Sequence, residues 1–301
     1  MQEAIDLLRI VLVLGFFIYA SVSDWRTRKV ANFTWLLLGT IGLTLFLTDL
    51  MSRDAEAVAL SALLPIAFVF YDIFWDRESG LKSASGIAAS IAYGASFIWI
   101  GYILFTIVNG DIEWSAEVSG PVVAFFMIIL FELFYMLDVI KGGADAKAVI
   151  CLAILFPWYP ALFSGVPMIT PNLDGIDTLF SFPLSVLFVA AVISVLTPIY
   201  YIYRNLKSGT PISGRALVGF RLPVDDVENR FVWLMEWMDG ERRRFSARKP
   251  RDSAMLKKDL EALRDAGIEE VWVTYKIPFI IPMTAAIVIV LLLGNPLFAL
   301  Y

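Results

Sequence analysis

The chain has 301 residues, 59% of them hydrophobic and only 18% charged, which excludes an ordinary soluble domain and indicates a polytopic membrane protein. Its formal net charge of -5 is small and unevenly spread, and argues against a nucleic-acid partner. With no histidine and Cys151 as the single cysteine, Ser-His and Cys-His catalysis, histidine metal sites and intrachain disulfides are excluded, so hydrolytic chemistry would need carboxylates, or serine with lysine.

Apolar runs of about twenty residues, the length that crosses hydrocarbon, predict about eight transmembrane helices. They lie at roughly 5–22, 33–48, 55–75, 86–108, 118–137, 146–163, 182–203 and 277–293. The amino terminus is acidic and no small-residue cleavage site follows the first run, so that run is expected to be retained as a span. The fourth run is rich in Ala, Ser and Gly, which lets helices approach closely inside a bundle. Cys151 falls within an apolar helix and reads as a buried, inert thiol.

Basic residues give the orientation. With the amino terminus outside, the cytoplasmic segments hold Arg26, Arg28 and Lys29, then Arg77 and Lys82, then Lys141 and Lys147, then the basic stretch from 204 to 276. Of the 24 Lys and Arg, only Arg9 and Arg53 fall outside these segments, and the external connections 109–117 and 158–180 have none.

The expected organisation is a membrane catalytic domain at 1–203, a small cytoplasmic α/β domain at 204–276, and a final helix and tail at 277–301. Within the middle segment, 216–222 reads as a strand, and 231–238 returns through Asp239-Gly240 to 242–245 as a hairpin. A helix follows, with Ser253 as its cap, Leu256, Leu260 and Leu263 as its apolar face, and Gly267 at its end. The alternating segment 270–275 is a last strand leading into the final span.

Two acids stand at the edges of spans. Asp24 ends the first, and Asp145 lies in Lys141-Gly142-Gly143-Ala144-Asp145-Ala146-Lys147, between the fifth and sixth. Four spans separate them, and an even number of crossings returns the chain to the same side. Two carboxylates held together do not both ionise easily, which leaves an acid and a base in one site, the arrangement of an aspartic protease. Gly142 and Gly143 permit backbone angles closed to other residues and the close approach of a substrate strand. A charged loop joining two spans also accounts for Lys141 and Lys147, and Lys147 suits either a carboxylate or a lipid phosphate. Asp138 reads as a span-end charge, and Glu132, inside the fifth run, as a structural group or one that tunes the site.

Asp24 with Arg26 and Asn32, followed by Gly142-Gly143-Ala144-Asp145-Ala146-Lys147, resembles the type IV prepilin peptidases of the GxGD aspartyl protease group. The segment from Glu270 through Pro278 to Pro282 is similar to the carboxyl-terminal region of archaeal preflagellin (prearchaellin) peptidases. The resemblance implies a membrane aspartyl endopeptidase that removes the basic leader of type IV pilin-like or archaellin precursors at the cytoplasmic face of the plasma membrane. It places the catalytic pair at Asp24 and Asp145, with Gly142, Gly143, Ala144 and Lys147 framing the approach of substrate, and implies no metal or cofactor. Ala144 stands where the motif has glycine, and Ala31 where many relatives have proline. A single cysteine leaves no room for the paired-cysteine loop of methylating relatives, so cleavage is expected without N-methylation. Outside this resemblance, intramembrane acids beside glycines also fit a secondary transporter.

Overall fold

A computed structural model describes residues 2–75, 83–160, 180–247, 253–276 and 278–295. Arg77, Lys82 and most of the expected 158–180 connection lie outside the described residues. The chain divides into two units, one formed by Met1–Ala191 with Pro278–Tyr301 and the other by Val192–Ile277.

In the first unit, α1 (Gln2–Thr27), α2 (Asn32–Ser52), α5 (Ala84–Val108) and α6 (Ala116–Met136) are each long and apolar enough to cross a membrane. The run Phe182–Lys207 is also long and apolar enough; it is divided into α8 (Phe182–Val195) and α9 (Thr197–Lys207), and from Val192 onward it belongs to the second unit. Three of the expected spans are shorter, for local reasons. The third is α3 (Ala57–Ser61) and α4 (Leu63–Asp72), broken at Ala62. There Pro65, with no N–H to donate, takes its place in the first turn of the restarted helix. The sixth, α7 (Gly143–Leu155), stops because Phe156 precedes Pro157, which disfavours helical backbone at the residue before it. The last, α11 (Ile280–Leu293), closes on Gly294 at positive φ.

The short α7 is the centre of this unit. From Ala148 through Phe156 every residue is buried, with α2 on one side and α6 on the other. Cys151 belongs to this core, its thiol donating to the Trp35 carbonyl at 3.3 Å. On α2, a Cβ at Gly39 would stand 2.1 Å from the Phe70 ring, so glycine is what allows α4 to close against α2. The helix α1 packs against α2 and α11, and α5 against α4.

The second unit is the small α/β domain. Its three-stranded antiparallel sheet runs β1 (Phe220–Pro223), β5 (Glu270–Tyr275), β2 (Val232–Leu234), and a separate hairpin joins β3 (Glu236–Asp239) to β4 (Arg242–Phe245) through Gly240. α10 (Ser253–Asp265) lays Leu260 and Leu263 fully into the core and ends before Gly267 at positive φ. Two expectations change. The strand expected at 216–222 begins only at Phe220, because the buried Asn205 amide donates to the Ala216 and Gly219 carbonyls and holds that stretch as turns. The single strand expected over 231–238 is two, divided at Met235, because the buried Glu236 carboxylate accepts from Trp272 N–H and from Arg243 and swings the chain into the hairpin.

At the end of α1 away from Asp24, Arg9 is 1% exposed and donates to Asp49 on α2 at 2.8 Å and to Asp6 at 3.1 Å. Asp49, also 1% exposed, accepts from Arg53 at 2.9 Å through its other oxygen. Arg53 in turn stacks over Trp158, 4.4 Å from the ring centroid. The two arginines that break the basic-residue pattern are thus neutralised in place. Removing one partner of a buried ion pair strands the other charge, so Asp49→Leu is expected to cost about 3–5 kcal/mol. The measurement is the thermal unfolding midpoint in detergent, where Arg9→Met added to Asp49→Leu should recover part of the loss. A double variant no more stable than the single would show that the pairing is not what stabilises this end.

Candidate active site

Asp24 occupies the last turn of α1, and the end of that helix is tightly closed. The Arg28 N–H donates to the Asp24 carbonyl at 3.0 Å, and Arg28 itself takes left-handed backbone, with φ 57°. The Ser23 hydroxyl donates to the Lys29 carbonyl at 2.8 Å, and the Thr27 hydroxyl to the Ser23 carbonyl at 2.9 Å. These bonds turn the chain back so that α2 starts at Asn32. The Arg28 guanidinium faces both the Asp24 carboxylate, electrostatically, and the Trp25 ring at 5.8 Å.

Asp145 is delivered by a second reversal. After α6, Asp138 takes left-handed backbone at φ 57°, and the N–H groups of Val139 and Ile140 both turn back to the Phe134 carbonyl. Asp138 is exposed and closes a helix end, a backbone position that Asp tolerates better than most residues. Gly142 then serves as the N-cap of α7 in extended backbone, which makes Asp145 the third helical residue. The carboxylate folds back over the cap, and a Cβ at Gly142 would lie 2.2 Å from its Oδ2. At Gly143 the nearest atom to an added Cβ is the Tyr135 hydroxyl oxygen at 3.4 Å, an ordinary contact. Ala144 lies in the first turn of α7.

The Lys147–Asn32 hydrogen bond brings the first turns of α7 beside the start of α2, just past the closed turn that follows Asp24, and the Asp24 charge acts on Asp145. Around them stands a polar layer that the sequence names only in part. Lys147 donates to Asn32 Oδ1 at 2.8 Å, and its ammonium sits 4.9 Å from the Phe74 ring centroid. Lys147 interacts electrostatically with Glu132 on α6, which also feels Asp72, and Asp72 accepts from Tyr93 at 3.0 Å. Asn32 and Lys147 are visible in the sequence as motif residues. Their contact is not, because it joins segments whose approach only the fold sets. Among the described residues no cluster of three or more His, Cys, Asp or Glu is arranged to hold a metal.

The geometry separates the two glycines. Gly142→Ala should displace the Asp145 carboxylate while leaving the fold intact, since the clash is with the movable end of a side chain, whereas Gly143→Ala should be nearly neutral. Activity and thermal midpoint measured together would check this; equal activity in both variants would mean that the carboxylate does not need its place over Gly142.

A family model described as Archaeal Peptidase A24 C-terminus Type II matches residues 215–295, from just before β1 to the end of α11. The chain is 24% identical over 217 residues to a preflagellin peptidase of Methanocaldococcus jannaschii, covering 68% of this chain and 86% of that one. It is 24% identical over 224 residues to a preflagellin peptidase of Methanococcus voltae, covering 68% and 88%. A third preflagellin peptidase, from Methanococcus maripaludis, is 22% identical over 292 residues, 95% of this chain and 94% of that one. The chain is thus similar to archaeal preflagellin peptidases over two thirds or more of its length, and its carboxyl-terminal region matches the archaeal peptidase A24 C-terminus model.

Proposed function

We propose that the protein is a membrane aspartyl endopeptidase that removes the basic leader from archaellin or other type IV pilin-like precursors, with Asp24 and Asp145 as its catalytic pair. The observation that supports the reading is the hydrogen bond from Lys147, two residues past Asp145, to Asn32, just past the closed turn after Asp24, which sets the starts of α7 and α2 side by side although four apolar segments separate the two acids. A pair that shares one proton supplies both functions that peptide hydrolysis needs. The ionised carboxylate takes a proton from a water as it attacks the scissile carbonyl; the protonated one donates to the developing oxyanion and then to the leaving amine. The two titrate as a unit, so the roles belong to the pair.

The cytoplasmic placement of the pair rests on charge. The reversal after α1 carries Arg26, Arg28 and Lys29, and the α6–α7 connection carries Lys141, with Lys147 just beyond it. At the opposite side stand only Arg9 and Arg53 of the 24 Lys and Arg, so the count of basic residues favours this side as the cytoplasmic one. A precursor anchored in the bilayer by its apolar helix would present its leader at the cytoplasmic surface, level with the dyad. The transporter alternative is not favoured, since the relatives are peptidases by name.

The test is cleavage of a precursor with a basic leader and an apolar helix by wild type, Asp24→Asn and Asp145→Asn in membranes. Each substitution should lower the rate by roughly 10²–10⁴-fold, the usual worth of a general acid or base. Either variant cutting at the wild-type rate would remove the dyad. The wild-type rate should rise and then fall with pH, and the released protein should carry an unmethylated amino terminus by mass spectrometry.

A further inference from the structure

We propose that Lys147 is a positioning residue that sets the separation of the two carboxylates by clasping Asn32. This rests on the dyad reading above and names what holds the dyad in register. Asp24 and Asp145 sit on separate helices, and nothing in either helix alone fixes the distance between them. Among the contacts of α7 with α2, the one between side chains beside both acids is the 2.8 Å hydrogen bond from the Lys147 ammonium to Asn32 Oδ1. Lys147 lies two residues past Asp145 on α7, less than one helical turn away, so a shift of the α7 start strains the anchored ammonium. Asn32 is the first residue of α2 and is separated from Asp24 only by the closed turn at the end of α1.

The ammonium is also seated on its other sides. The Phe74 ring, just after α4, lies 4.9 Å away, and Glu132 on α6 is its electrostatic partner. Lys147 therefore ties the start of α7 to α2, to the segment following α4, and to α6. Lipid gives apolar helices no hydrophobic preference for one register over another, so such polar links carry more of the positional information than they would in water. The ammonium's geometric contacts are with Asn32 Oδ1 and the Phe74 ring, and Glu132 is its electrostatic partner. A direct part in tuning Asp145 is thus not where this geometry puts Lys147.

Two measurements on the full-length protein test the clasp. In the cleavage assay, Lys147→Met and Asn32→Leu, which keep side-chain size, should each lower kcat about 10–100-fold with KM unchanged, the scale expected when reacting groups are misplaced by about an ångström. The double variant should be no worse than the worse single, and Asn32→Asp, which keeps an acceptor oxygen, should retain most activity. A rise in KM with kcat unchanged would make Lys147 a substrate contact, and additive losses would sever it from Asn32; either result overturns the clasp. The second measurement needs no activity: in a chain carrying Asp24→Cys and Asp145→Cys, a short bifunctional thiol reagent should bridge the pair, and adding Lys147→Met should slow bridging several-fold. Cys151, fully buried, does not compete for the reagent. Bridging that is indifferent to Lys147→Met overturns the clasp even where Asp24→Asn abolishes cleavage. Bridging that responds, in a protein that leaves every precursor intact, keeps the clasp and removes the endopeptidase reading.

Discussion

The site depends on the burial of α7. Ala148 to Phe156 have no exposed face, so the helix cannot slide or rotate without breaking contacts with α2 and α6. At 13 residues α7 spans only about 20 Å, well short of the roughly 30 Å of hydrocarbon. Its polar groups are confined to the first turns, and those turns form one end of the unit. The fit of the apolar residues behind them fixes where α7 lies, and its first turns are left to the polar contacts there.

That fit has a different origin from the core of a soluble protein. In lipid, apolar side chains gain nothing by leaving one hydrocarbon surface for another, so close approach and a few polar links select the arrangement. Phe70 over Gly39 is an example of close approach, and the two charged networks are the polar links. At one end Arg9, Asp49 and Arg53 join α1 to α2. At the other, Lys147, Asn32 and Glu132 join α7 to α2 and α6. The first network neutralises charge and leaves no acid over for chemistry. The second stands beside Asp145 and the turn after Asp24, and ties the start of α7 to its neighbours.

How far this is legible in the sequence follows from the range of each signal. Spans are visible because each is a local run of apolar residues, and the side on which Asp24 and Asp145 lie follows from counting crossings. α10 and β5 are visible for the same reason, as periodic patterns closed by Gly267 and by the chain's return to apolar sequence. The break between β2 and β3 is not, because it is set by Glu236 reaching Trp272 and Arg243, partners distant or on the next strand. The pairing of Arg9 with Asp49 is hidden likewise: each looks like a charge near the end of a span until α1 and α2 are laid side by side. The shortness of α7 could have been read from Pro157, whose effect on the residue before it is local.

Ala144 is the clearest departure from the GxGD pattern, and the backbone accounts for it. The motif's two glycines occupy different environments here. Gly142 is the extended N-cap, and its missing Cβ is the space into which the Asp145 carboxylate folds. Ala144 already lies within the first turn of α7, where no left-handed angle is required. Alanine at a helical position is favoured over glycine by roughly 0.5–1 kcal/mol. The substitution therefore steadies the start of α7 without entering the space the carboxylate uses. In this backbone the first glycine makes room for the aspartate carboxylate, and the alanine before the aspartate answers to the helix.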